Sequence, residues 1–162
     1  MYRWIILLHV ISAFAFFMAH GISIAVALRL KHEHQIERLR ALLELSDVSK
    51  LTARISLVVL LLAGIVGGFM SSWWRMGWIW VSLALLVLIT IVMARGVSPY
   101  FNRLRKAIGS PYLIGMKRQP AQEPSPAAEI EALLSGPNFM GMTIIGMGIT
   151  VVIIYLMMFK PF

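Results

Sequence analysis

The chain is 162 residues long, 59% hydrophobic and only 14% charged, with a mean hydropathy of +0.82, a formal net charge of +8 and no cysteine. That balance lies far from an average soluble domain and marks an integral membrane protein, while the missing thiols exclude a disulfide framework and thiolate ligands. The excess of base is no nucleic-acid footprint, because it sits in segments flanking apolar runs, where anionic lipid headgroups account for it.

A helix needs about 20 apolar residues to cross a hydrocarbon core of about 30 Å. Four stretches approach that length: 4–28, 55–70, 77–94 and 139–159. The second is the shortest and borrows from 51–54 or 71–74. An Ala25-Val26-Ala27 pattern raises a signal-peptide reading of the first, but the apolar run is too long and its basic flank follows it, so the helix is expected to be retained.

Within the first stretch only His9 and His20 can carry charge. Eleven residues is close to three helical turns, so the two imidazoles fall on one face, roughly 16 Å apart along the axis. Ser12, Phe16, Ser23 and Ala27 lie near the same direction, making a polar stripe with one aromatic along the span. Ionisable groups at this depth face a partner, a cavity or a ligand. Two neutral imidazoles can ligate haem iron or a chlorin magnesium, or hydrogen-bond across helices, with Ser12 and Ser23 as supporting partners. The bland alternative is that His9 and His20 bond to neighbouring helices. His32 and His34 fall outside the bilayer, and the other three spans contain no histidine, so one chain supplies no bis-histidine pair across two spans.

The segment 29–54 carries Ile36, Leu39, Leu42 and Leu43 at helical spacing, with Glu37/Arg40 and Arg40/Glu44 as charge pairs. It predicts a short cytoplasmic helix, lying in the interface or extending the hairpin. Gly64 and Gly68 form a GxxxG suited to close helix packing. The next loop gathers Trp73, Trp74, Trp78 and Trp80 around Arg75, the composition of an interfacial belt, with a stacking platform for a ring-shaped ligand as the functional alternative.

Residues 95–107 can continue the third span as helix into the headgroups, and Pro111, Pro120, Pro124 and Pro126 then predict a linker. Ser125 reads as an N-cap, with Pro126 and Glu129 in the first turn and Ile130, Leu133 and Leu134 on the apolar side of a surface helix ended by Gly136 and Pro137. In the fourth span Gly141 and Gly148 repeat the small-residue pattern. Met140, Met142 and Met147 raise a Cu(I) reading, but Met140 and Met142 point to different sides of a helix, and methionine fills gaps in ordinary cores.

Twelve of the fifteen Lys and Arg residues lie in 29–54 and 95–138, against Arg3, Arg75 and Lys160 elsewhere. The positive-inside rule then places both long loops in the cytoplasm and both termini outside. All seven acidic residues share those loops, and the absence of intramembrane carboxylates argues against an ion-coupled transporter.

The run LLHVISAFAFFMAHGISIAVALRL, the second span ending GGFMSSWW, and the third running into VSPYFNRLRKAIG together resemble the small four-span bacterial membrane proteins loosely related to the copper-resistance D type. More distantly, the histidine of the first span is similar to that of haem-binding membrane proteins of the protoporphyrinogen-oxidase class. That likeness implies His9 or His20 as an axial ligand and haem as the candidate cofactor, although a full family site is not present.

The expected fold is therefore all-α: a single transmembrane domain over 1–162, a four-helix bundle, N-out and C-out, with short cytoplasmic interfacial helices, in a bacterial cytoplasmic membrane. The expected function is a non-enzymatic membrane subunit, self-associating or accessory to a larger respiratory or photosynthetic complex, with the bilayer, its anionic lipids and other membrane subunits as partners. A haem- or metal-binding redox protein using His20 and His9 is the alternative.

Overall fold

The computed structural model describes residues 1–114, 117–136 and 139–162. The chain folds as α1 (Tyr2–Leu30), α2 (Ile36–Met70), a 3-10 turn (Trp73–Arg75), α3 (Gly77–Ala107), a two-stranded hairpin of β1 (Tyr112–Ile114) and β2 (Lys117–Gln119), α4 (Ala127–Ser135) and α5 (Phe139–Phe159). α1, α2, α3 and the stretch containing α5 are long and apolar enough to cross a membrane, the architecture of a multi-pass membrane protein.

Two helices run beyond their apolar segments. The region 36–54 is the first half of α2, continuous with the second span, so it extends the hairpin and does not form a separate interfacial helix. α3 likewise continues to Ala107, through Pro99. A long helix keeps its backbone hydrogen bonds internal whether it lies in lipid or in the headgroups, so nothing compels a break at the membrane boundary.

α1 and α2 form the most extensive pairing in the chain. Residues 31–35 turn between them around Glu33, which is buried although charged. Its Oε1 accepts from the backbone N–H of Gln35 at 3.1 Å and of His34 at 3.2 Å, and its Oε2 lies 3.8 Å from Arg38 and 3.9 Å from Arg29. The Gln35 bond, helped by Arg38, His34 and Arg29, outweighs desolvation and holds the carboxyl below its ordinary value. A depressed pKa stabilises the folded turn above the unfolded value of about 4.3 and loses that contribution as pH falls through the folded value. Thermal unfolding in detergent should therefore show a loss on acidification below about pH 4.3 that Glu33→Gln flattens; equal slopes in both proteins would remove Glu33 from the turn's energetics.

The main core lies at the end of the bundle holding that turn. Val26, Ala27 and Leu30 of α1, Leu39 and Leu43 of α2, Val97, Tyr100, Phe101 and Leu104 of α3, then Ile108, Leu134 and Phe139 are buried together. Arg105 is buried at the same end, its Nη2 donating to the Leu43 carbonyl at 2.6 Å and Ser46 Oγ at 2.7 Å, and lying 2.8 Å from Asp47 Oδ1. Lys50 stands 5.2 Å over the Phe101 ring. This cluster is the polar tie between α2 and α3.

Where a proline linker was expected, β1 pairs antiparallel with β2, Tyr112 opposite Gln119, Leu113 opposite Arg118 and Ile114 opposite Lys117. Asn102 of α3 pins the hairpin, its Nδ2 bonding the Leu113 carbonyl and its Oδ1 accepting from Leu113 N–H at 2.8 Å. Gly109 makes the turn out of α3 at φ +68, and a Cβ there would meet the Gln122 carbonyl at 2.9 Å. A helix is present there as α4, but its N-cap is Pro126 without a side-chain bond; Ser125 instead donates its backbone N–H to Ala107 O at 2.8 Å. Gly136 follows its last turn as expected, while Pro137 lies outside the described residues.

The opposite end gathers aromatic rings. Trp78 is wholly buried, with Trp73 5.6 Å away edge-on, Tyr2 meeting Trp73 at 6.3 Å, and Lys160 Nζ 4.4 Å over Trp73. Trp74 lies 5.6 Å from Trp80, which is exposed. Of the four tryptophans in this loop region, Trp80 is exposed, whereas Trp78 is core. Tyr2, the Trp loop and Phe162, whose carbonyl accepts from Trp78 N–H at 3.3 Å, share this end of the bundle.

Candidate functional site

The two histidines of α1 part company. His9 Nδ1 is 3.0 Å from the Leu60 carbonyl of α2. A carbonyl only accepts, so His9 donates, and the bond ties the two helices. Its ring rests on Gly64: a Cβ built there would stand 3.0 Å from His9 Cε1. The GxxxG is thus filled from within the chain, Gly64 seating His9 and Gly68 seating the Trp74 indole, 3.0 Å from its would-be Cβ.

Among the described residues His20 binds no other helix. Its Nδ1 lies 3.2 Å from the Phe16 carbonyl one turn back, with the Phe16 ring 4.3 Å away, and its Nε2 is buried without a partner among the described residues. Across roughly 16 Å of α1 the neighbour changes from α2 to a gap, so a shared helical face does not become a shared site. Ser12 Oγ donates to Leu8 O at 2.7 Å, and Ser23 pairs with Ser49 of α2 at 2.7 Å; neither supports a histidine.

His20 lines a cleft of about 440 Å³ between α1, α3 and α5. Ile89, Val97, Ala27 and Phe139 form its buried floor; Gly21 and Ala25 of α1 and Met147 and Val151 of α5 are exposed at its rim. Thr143 and Thr150 also line it, with both hydroxyls turned back onto carbonyls of their own helix, to Phe139 and Gly146. Among the described residues no Lys, Arg, Asp or Glu belongs to the lining. The sequence signal for this face was Thr143, Gly146 and Thr150, small residues at spacings of three and four on α5, with Gly21 and Ala25 opposite. Gly141 and Gly148, the small pair singled out from the sequence, face away: a Cβ at either would meet nothing within 4 Å.

A haem would fit this cleft poorly: His20 Nε2, the nitrogen that would have to hold it, is buried, His9 is committed to Leu60, and the described lining holds no basic side chain that would meet the propionates. Among the described residues no three His, Cys, Asp or Glu side chains cluster as a metal site. Met142 and Met147 both line the cleft, Met147 exposed at its rim, while Met140 does not line it. No family model, curated protein or solved structure matches the chain.

Proposed function

We propose that this chain is a non-enzymatic integral subunit of a bacterial cytoplasmic membrane, N-out and C-out, that joins a second copy or another membrane subunit through α5. The likeness to four-span proteins loosely related to the copper-resistance D type belongs to the same reading.

The carrying observation is the outer face of α5. Gly141 and Gly148 leave bare backbone there, flanked by exposed Ile144, Ile145, Val152 and Tyr155 at helical spacing. Lipid gains nothing from bare backbone, whereas a second helix gains close approach. The charge asymmetry supports the orientation, with the Glu33 turn and the Arg105 cluster cytoplasmic and the tryptophan end outside.

One cysteine series in this thiol-free chain tests both parts. Ser72→Cys should label from outside intact cells and Ser125→Cys only after permeabilisation, and Gly148→Cys should form an intermolecular disulfide within the membrane. Labelling of Ser72→Cys and Ser125→Cys from one side would end the orientation. A Gly148→Cys protein that neither self-crosslinks nor crosslinks to a co-purifying subunit would leave α5 facing lipid and end the association.

A further inference from the structure

We infer that the β1–β2 hairpin rests on the membrane the chain spans, setting Leu113 and Ile114 at the hydrocarbon edge and Lys117 and Arg118 among the phosphates of anionic lipids. Only the crossing of a bilayer by the apolar helices is needed for this. Orientation and α5 association are not, so the subunit reading and the hairpin contact can fail separately.

The level of the membrane edge follows from how α2 and α3 pair. Lys50 stands over Phe101, and Arg105 bonds Leu43 O and Ser46 Oγ, so the two helices run antiparallel with residue 54 near the level of residue 95. Arg54 closes the apolar run 55–70 and Arg95 closes the run 77–94, and both are exposed. The exposed large apolar residues of α3 end at Ile91, one turn before Arg95. Two guanidinium groups at one level, with an apolar surface on one side of them, mark the headgroup layer. The Arg105 cluster and the Glu33 turn project beyond it.

The hairpin leaves that projecting end and doubles back. Its base is at the last turn of α3, where Gly109 turns the chain out of the helix and Ser125, on the returning leg, donates its backbone N–H to Ala107 O. Midway, both side-chain bonds of Asn102 grip Leu113, and Asn102 is five residues nearer the membrane edge than Ala107. The far end of the hairpin therefore points along α3 toward Arg95, which lies seven residues, about 10 Å, from Asn102. The headgroup layer is itself several ångströms deep, and long basic side chains span the rest.

Toward that end each apolar side chain has a basic one across the ladder. Ile114 is opposite Lys117 and Leu113 opposite Arg118. Ile114 is 60% and Leu113 40% exposed, and both cations are exposed, whereas Tyr112, nearer the base, is buried. Among the described residues no carboxylate pairs with Lys117 or Arg118, nor with Arg103 or Lys106 of the adjoining last turns of α3. A two-stranded hairpin is marginal in water, so a surface that receives both its apolar and its cationic side chains stabilises it. The anionic edge of a bilayer offers hydrocarbon and phosphate side by side.

The test uses the full chain in nanodiscs of phosphatidylcholine with and without phosphatidylglycerol. An environment-sensitive fluorophore is attached to Ile114→Cys, with His34→Cys, in the exposed turn at the far end of α2 from Arg54, as the water-facing reference. A lipid carrying a nitroxide near its headgroup should quench the label at 114 while acrylamide does not, with the reverse at 34, and phosphatidylglycerol should widen the contrast. Lys117→Gln and Arg118→Gln should each weaken the contact about fivefold, the effect of removing one basic residue from an anionic surface, and high salt should act in the same direction. Asn102→Ala should release the hairpin and lose the lipid quenching with helix content unchanged; if it unfolds the end of α3, the two variants of exposed charges still decide. A label at 114 as open to acrylamide as the one at 34 would overturn the inference, as would lipid quenching indifferent both to phosphatidylglycerol and to the two charges. So would a label shielded from acrylamide without lipid quenching, which would give this surface to a second copy or another subunit.

Discussion

Arg105→Ala is expected to destabilise the folded chain by about 2–3 kcal/mol, the cost of losing several charge-assisted hydrogen bonds from a buried site. The guanidinium bonds Leu43 O and Ser46 Oγ at 2.6 and 2.7 Å and pairs with Asp47 at 2.8 Å, and few other contacts join α2 to α3. Asp47→Ala should cost less, about 1 kcal/mol, because the Asp47 side chain is more than half exposed and solvent screens the pair. Arg105→Met should recover part of the loss by filling the space with apolar atoms. Unfolding monitored by circular dichroism in detergent reads all three, and an Arg105→Ala protein as stable as wild type would show that the apolar core alone holds this end.

Gly64→Leu should be the most damaging single change in the α1–α2 hairpin. Even a Cβ reaches 3.0 Å from His9 Cε1, so a full leucine expels the imidazole and breaks its bond to Leu60. Overpacking costs about 1–3 kcal/mol, and the displaced imidazole adds the loss of a buried hydrogen bond. His9→Ala should open the room that leucine needs, so the double variant should be less impaired than the sum of the two singles. Strict additivity would mean that Gly64 acts on something other than His9.

The four apolar segments were legible because hydropathy over about 20 residues is a property of composition. The helical character of 36–44 was legible too, from Ile36, Leu39, Leu42 and Leu43, but not its fusion with the second span, since helix periodicity says nothing about where lipid begins. The β1–β2 hairpin escaped because Asn102, eleven residues before Leu113, supplies its anchor. At the site, the wheel placed His9 and His20 together correctly as a direction, yet a direction does not name the neighbour. Which helix fills each stretch of that face is decided by tertiary packing. Gly64 and Gly141 look alike in sequence; only the fold distinguishes a glycine that seats a side chain from one left bare.

The aromatic end of the bundle also makes the chain optically lopsided. All five tryptophans, Trp4 included, belong to the end that holds the loop between α2 and α3, and none lies near the Arg105 cluster or lines the His20 cleft. Intrinsic emission therefore watches a single pole of the molecule. Far-ultraviolet dichroism averages over every helix, so a gap between the two melting curves measures how independently the two poles come apart.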